Sequence, residues 1–395
     1  MRKISPKLQI VIFSSILLII LGIVIFRTNI WQDTQIEQCS RSENQQKCWR
    51  DLIIGTFNRK GLDKSLDLIE TIYESNPEFI SVCHDFGHLL GRETYKSFRS
   101  GEELKINSKT SFCSYGFYHG LMEEMARSES DLSRVRDFCD YVDAQIVDQS
   151  PDATLQCFHG IGHGWVNVHD EPELWGDALG IAQRGINLCE QVSQNESELS
   201  RCATGVFNGI AFFYINKEYE LEVDREDPLW LCRIQEEQYK DPCYLSFNVT
   251  LMNITDGNLL KAAKFIEAIP EDDYARHAML NLAVPFGLMN IEGANREGIG
   301  LCRQVQSRLI EPCIQGYAFA FLEHGEPGKE YAGAINTCIA SDLTAEEEGG
   351  CLSYIFNYLP QWYSEDRAYA ICETLDTKYQ AFCSESVREQ LSRLN

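Results

Sequence analysis

Sixteen cysteines, most of them in regularly spaced couples, constrain this 395-residue chain more than any other feature. Cys39 and Cys48 stand nine residues apart, and Cys139 and Cys157 eighteen. Cys189 with Cys202, and Cys338 with Cys351, are each thirteen apart. Cys232 with Cys243, Cys302 with Cys313, and Cys372 with Cys383 are each eleven apart. There is no Cys-x-x-Cys of the kind metal clusters use. The even count therefore predicts an oxidising compartment and up to eight disulfides. Cys83 and Cys113 lack a partner just upstream, so by elimination they are expected to bond to each other.

In each couple the first cysteine ends a helical pattern, as Cys189 does after Ile181. The second is expected to open a new apolar helix, as Cys202 does before Phe207 and Tyr214. Cys83 and Cys113 sit at helix starts of this second kind. Successive second cysteines run from Cys113 in steps of 44, 45 and 41 residues to Cys243, and from Cys313 in steps of 38 and 32. The 70-residue gap between Cys243 and Cys313 holds about two units, one with a helix start near Ala278 and no cysteine pair. A period of this length with two helices per unit is the mark of a helical array. Closing each loop of about ten residues contributes roughly 2–3 kcal/mol. The expected fold is all-α: an array of disulfide-stapled helical hairpins over 51–395, either an open α/α solenoid or a closed α/α toroid. Residues 28–50 are read as stalk and N-terminal cap.

Leu8 to Phe26 is a 19-residue run without charge, long enough to cross a bilayer as a helix. Arg2, Lys3 and Lys7 precede it and only Arg27 follows closely, which predicts residues 1–7 in the cytoplasm and the bulk of the chain on the extracytoplasmic side. A cleaved signal peptide is the competing reading, but such apolar regions are shorter and end in small residues. An uncleaved, single-pass signal anchor over 8–26 is preferred, and it agrees with the disulfide chemistry. The formal charge of −24 argues against nucleic acid as a partner.

Counted from each second cysteine, Gly116, Gly160, Gly205 and Gly316 stand at plus three. Gly120, Gly164, Gly209 and Ala320 stand at plus seven, and Gly87 and Gly91 repeat the spacing one residue later. Small residues four apart share a helix face and let another backbone approach. Each glycine costs its helix about 1 kcal/mol against alanine, so tight contact with a neighbouring helix or a ligand must offset it.

A polar row runs beside this face. At plus six stand His119, His163, Asn208 and Asn357, with His88 and Asn248 at plus five. One turn earlier come His84, Tyr115, His159 and Thr204. His84/His88 and His159/His163 are thus His-x3-His pairs, which present two imidazoles from one helix face to a single metal ion. Five of the eight histidines fall in residues 84–163 at matching phases of three adjacent units. His84, His88, His159 and His163 are the candidate metal ligands. His119 is a fifth ligand or general base, and Glu123 or Glu124 would orient water or complete the shell. Tyr115 and Asn208 are candidate binding residues. Neutral imidazoles with a carboxylate suit Zn²⁺, Cu²⁺ or Fe²⁺. The competing structural account is a ladder of histidines that satisfies helix-start carbonyls and binds no ligand. His169, His277 and His324 fall off the cluster and read as ordinary surface or core residues.

No Gly-x-Ser-x-Gly, His-Glu-x-x-His, P-loop or Gly-x-Gly-x-x-Gly signature occurs, and paired cysteines leave no thiolate nucleophile. Two functions follow. One is a membrane-anchored extracytoplasmic metal site, extending to a metalloenzyme. The other is a metal-free helical-repeat module that binds a protein or envelope polymer on a concave face.

Overall fold

The computed structural model describes residues 34–101, 103–128, 131–289, 296–339 and 343–394. All regular structure among them is helical. The expected anchor over 8–26 lies outside the described residues, and no described helix is long and apolar enough to cross a membrane. The chain divides into two compact units, Met1–Asn76 and Pro77–Asn395.

The described part of the first unit holds a helical segment over 34–40 and two helices, α1 (Gln45–Lys60) and α2 (Leu62–Ser75). Cys39–Cys48 staples the segment to α1. Gly61, at φ 83°, makes the break between α1 and α2, a backbone state glycine reaches without a Cβ penalty.

In the second unit α3 (Cys83–Arg99) and α4 (Gly116–Ala126) come first. Hairpins follow: α5 (Leu132–Ile146) with α6 (Ala153–Trp165), then α7 (Ala178–Val192) with α8 (Glu196–Asn216). Next are α9 (Trp230–Arg233) with α10 (Glu237–Ser246), the short α11 (Asn248–Ile254), and α12 (Leu259–Glu267) with α13 (Asp272–Met289). The last three pairs are α14 (Arg296–Cys302) with α15 (Ser307–His324), α16 (Glu330–Cys338) with α17 (Ala345–Trp362), and α18 (Glu365–Glu373) with α19 (Thr377–Leu394). Every couple read from the sequence is a disulfide, and so is Cys83–Cys113 across a separation of 30 residues.

Cys83 opens α3 as expected and Cys113 lies just ahead of α4, but the second cysteines of the couples do not open their helices. Cys157, Cys202, Cys313 and Cys351 sit one to two turns inside them. The polar stretches read as turns are in two cases capped first turns. Asn195 accepts from the Glu198 amide ahead of α8, and Thr344 forms a capping box with Glu347 ahead of α17. Acidic residues there complement the exposed amides and the positive helix end, so a polar run becomes helical. The helix start expected near Ala278 likewise lies inside α13.

The second helices pack in succession: α3 on α4, α4 on α6, α6 on α8, and so through α10, α13, α15 and α17 to α19. Glycine sets how close they come. A Cβ on Gly120 would overlap the His88 carbonyl, and one on Gly205 the His159 carbonyl. Close approach is therefore made between neighbouring helices. Two contacts span long stretches of sequence. The Asp152 amide donates to the Gln361 carbonyl at 3.1 Å, and Ser114 Oγ donates to the Glu323 carbonyl at 2.8 Å.

Candidate metal centre

Helices α3, α4 and α6 bring five imidazoles into one continuous cluster. Ring centroids lie 4.8 Å apart for His84 and His88, 5.1 Å for His84 and His119, and 5.2 Å for His88 and His119. His159 and His163 continue it at 4.7 and 5.7 Å from His119. Ligand nitrogens of His84, His88 and His119 all lie within 4.8 Å of one another. This threesome differs from the expected grouping of His84 and His88 with His159 and His163. Glycine contact slides α4 against α3 so that His119 faces the first pair, while the α6 pair stands one helix further on.

Hydrogen bonding fixes how the rings present themselves. His84 Nδ1 donates to the Cys113 carbonyl at 3.0 Å, since a carbonyl can only accept. His88 Nδ1 stands 3.2 Å from Glu123 Oε1. With its Nδ1 proton given to a carbonyl, the neutral His84 carries a lone pair on Nε2, which faces His88 Nε2 at 3.0 Å. A contact of that length is held either by a proton on His88 Nε2 or, when His88 keeps its proton on Nδ1 beside Glu123, by a cation between the two nitrogens. The edge of a tetrahedral site with Zn–N bonds of 2.0–2.1 Å is about 3.4 Å, close to this separation. His119 Nε2 is buried and without a hydrogen-bond partner.

The supporting shell is built from all three helices. Burial alone would raise the Glu123 carboxyl, but the His163 and His88 imidazoles beside it hold it below the usual carboxylate range. Arg92 Nη1 adds its charge at 3.1 Å from Glu123 Oε2. His163 Nδ1 lies 3.2 Å from the same Oε1 as His88, although off the hydrogen-bond direction. His159 Nδ1 is 3.0 Å from Thr204 Oγ1, whose own hydrogen goes to the Arg201 carbonyl, so His159 is the donor. Burial and the neighbouring His88 lower His84 to about 3, and burial lowers His119 and His159 as well. His84, His119 and His159 are therefore neutral, the form that binds metal.

The Cys113 carbonyl reaches His84 from a run of three left-handed residues, Cys113, Ser114 and Tyr115, with φ of 55°, 53° and 59°. Such residues cost roughly 1 kcal/mol each or more, and they cluster where geometry must be held. The Cys83–Cys113 disulfide and the Ser114–Glu323 bond hold this run.

A cavity of about 300 Å³ opens over the cluster, lined by His84, His88, His163, Glu123 and Asn208 among others. His119 lies beneath, 7 % exposed. Of the other candidates, Glu124 pairs with Arg127 at 3.6 Å, and Tyr115 packs on Trp362 at 5.4 Å. His277 bonds Asp241 at 2.9 Å, and His324 lies 3.1 Å from Ser114 Oγ. Sequence reasoning missed Arg92 and the Cys113 carbonyl. Arg92 stands four residues after His88 on one helix face, a signal that was available. The carbonyl had none, because it depends on three unusual backbone angles.

Comparison with known proteins found no matching family model, no matching curated protein and no matching solved structure. A disulfide-rich helical protein whose His84, His88 and His119 could hold a metal ion is what the residues themselves present.

Proposed function

We propose that His84, His88 and His119 bind one transition-metal ion through their ring nitrogens, with the open cavity above as its fourth, exchangeable position. The observation that carries this reading is the convergence of His84, His88 and His119 nitrogens within 4.8 Å of one another, with His119 Nε2 buried and without a hydrogen-bond partner and with the His84 and His88 Nδ1 atoms beside a carbonyl and a carboxylate. Donation of the second ring nitrogen to such groups is what orients histidine ligands in metal sites. Three protein ligands with an open position distinguish reactive zinc sites from closed structural ones. Imidazole also suits copper and iron. Glu123, held by Arg92, stands 3.2 Å from Nδ1 of both His88 and His163 at the edge of the cavity. His159 and His163 remain available to a larger shell or to a molecule entering above.

The architecture we infer is a closed α/α ring. Its support is that α15 and α17 return onto the starts of α4 and α6 through Ser114 and Asp152. The location we infer is extracytoplasmic behind the 8–26 anchor. Eight disulfides without a free cysteine among the described residues support it.

The test is elemental analysis of the chain, purified with its disulfides intact and without an affinity metal column. The expected result is about one equivalent of zinc, copper or iron. It should be lost in His88→Ala/His119→Ala and kept in His169→Ala. No metal after incubation with each ion would overturn the reading, and the histidines would then be packing residues between helices.

A further inference from the structure

A second cavity, of about 590 Å³, lies among α6, α8, α10, α13, α15 and α17, and no residue proposed as a metal ligand lines it. One wall is aromatic. Tyr354, Tyr358 and Trp362 stand four residues apart on α17, and Phe319 of α15 touches all three at centroid distances of 5.8, 4.9 and 5.7 Å. All four are only half-buried, so they face open space instead of completing a core. Phe319 is inclined to the three rings by 77°, 63° and 84°. Electron-rich aromatic ring faces exposed to a cavity attract cations.

The charges point the same way. Asp152, Glu196, Asp241 and Glu323 line the cavity against Arg201 and His277. Arg201 is committed to Asp152 at 3.3 Å, and His277 to Asp241 at 2.9 Å. Glu196, exposed in the first turn of α8, and Glu323, whose Oε2 lies 3.9 Å from the Nε2 of a His324 that burial keeps neutral, bring the carboxylates at the cavity to four against Arg201 and His277. An anion would meet both carboxylates, and a neutral ligand would leave them uncompensated. The volume lies within the usual range for small-ligand sites.

We propose that this cavity binds an alkylammonium group, with Glu323 and Glu196 compensating its charge and the Phe319, Tyr354, Tyr358 and Trp362 wall taking the cation and its methylenes. A free polyamine and a lysine side chain of a peptide share this chemistry.

Titration calorimetry of the full chain with spermidine, with trilysine and with the neutral sugar cellotriose tests it. Binding of either amine is expected, weakening about tenfold or more between about 50 and about 500 mM salt. Spermidine alone would identify a free polyamine, trilysine alone a basic peptide, and both the shared ammonium group. Glu323→Gln keeps volume and shape and should weaken binding about fivefold or more. Tyr358→Leu should weaken it further while circular dichroism confirms the fold. No heat with either amine at millimolar concentration, unchanged affinity in Glu323→Gln, or tighter binding of cellotriose would overturn the proposal. The metal centre is untouched by these variants, so either reading can fail alone.

Discussion

Replacing Gly120 by alanine asks whether helix spacing, rather than helix propensity, governs this fold. In an ordinary helix the change is favourable by about 1 kcal/mol. Here the new methyl would overlap the carbonyl, carbon and Cα of His88. These are backbone atoms of α3, so no side chain can rotate aside and the two helices must separate. Overpacking of this kind costs typically 1–3 kcal/mol, and a rigid backbone obstacle belongs at the upper end. The net loss expected is about 2 kcal/mol once the propensity gain is subtracted. Gly349 is the control. It lies inside α17 with nothing within 4 Å of an added Cβ. Gly349→Ala should therefore stabilise by roughly 0.5–1 kcal/mol. Differential scanning calorimetry on oxidised protein reads both. At about 2 °C per kcal/mol for a unit of this size, Gly120→Ala should melt about 4 °C lower and Gly349→Ala about 1–2 °C higher. Shifts of the same sign and size would refute the argument. Because His88 carries the obstructing carbonyl, Gly120→Ala should also reduce bound metal, and Gly349→Ala should not.

Replacing Cys83 and Cys113 together by alanine releases a 30-residue loop and should cost about 3–4 kcal/mol. Metal content should fall with it, since the Cys113 carbonyl orients His84; metal retained in a folded variant would refute that link. Glu347 accepts from Arg303 at 2.6 Å and closes the α17 capping box, and that Arg303 bond pulls its pKa down to about 2. A depressed carboxylate stabilises the fold above its ordinary value of 4.5, and the gain is lost as pH falls from there toward about 2. The wild type should exceed Glu347→Gln by about 1–2 kcal/mol at neutral pH, with the gap narrowing below pH 4.5 and closing only near pH 2; a constant gap would refute it. Tyr363 donates to the buried Glu330 carboxyl at 2.6 Å. Tyr363→Phe should cost about 1–3 kcal/mol in urea unfolding, and an unchanged midpoint would show that water replaces the hydroxyl.

Local spacing carried most of the fold. Couples such as Cys232/Cys243 bridge one turn between consecutive helices, so their pairing needed no long-range information. Cys83–Cys113 could be reached only by elimination, because the two helices it joins are separated by a long irregular loop. Helix starts were misplaced where caps were acidic, as at Glu196 and Glu346, since polarity was read as a turn. The histidines' shared phase was legible, but the identity of the converging three was not. Phase fixes the direction of a side chain around its own helix and says nothing of how far that helix slides along its neighbour. The aromatic stripe of Tyr354, Tyr358 and Trp362 was equally visible at four-residue spacing. A stripe of that kind ordinarily faces a core. That it faces a cavity depends on contacts that cross the chain from Asp152 to Gln361.

The repeat itself explains why a metal centre could arise in this chain. Helices α4, α6 and α8 each place a small residue next to a polar one: Gly120 follows His119, Gly164 follows His163 and Gly209 follows Asn208. The small residue lets the neighbouring backbone come close, and the polar residue is thereby delivered to the seam between helices. These units thus offer positions where side chains from adjacent helices must meet. In α8 the position holds Asn208, which lines the cavity over the cluster. In α17 the same phase holds Asn357, which is followed by Tyr358 instead of a small residue and lies outside both cavities. Only α3, α4 and α6 fill the seam with histidine, and only there do imidazoles from three helices touch. If the seam alone created the site, exchanging the polar residues between units would move it. Asn208→His should therefore add a ligand beside His163 and raise metal affinity or stoichiometry in the wild-type background. Asn357→His, far from the other histidines in sequence and without a paired ring, should leave both unchanged. Equal effects of the two substitutions would mean that the cluster owes its chemistry to something other than the stacking of these three units.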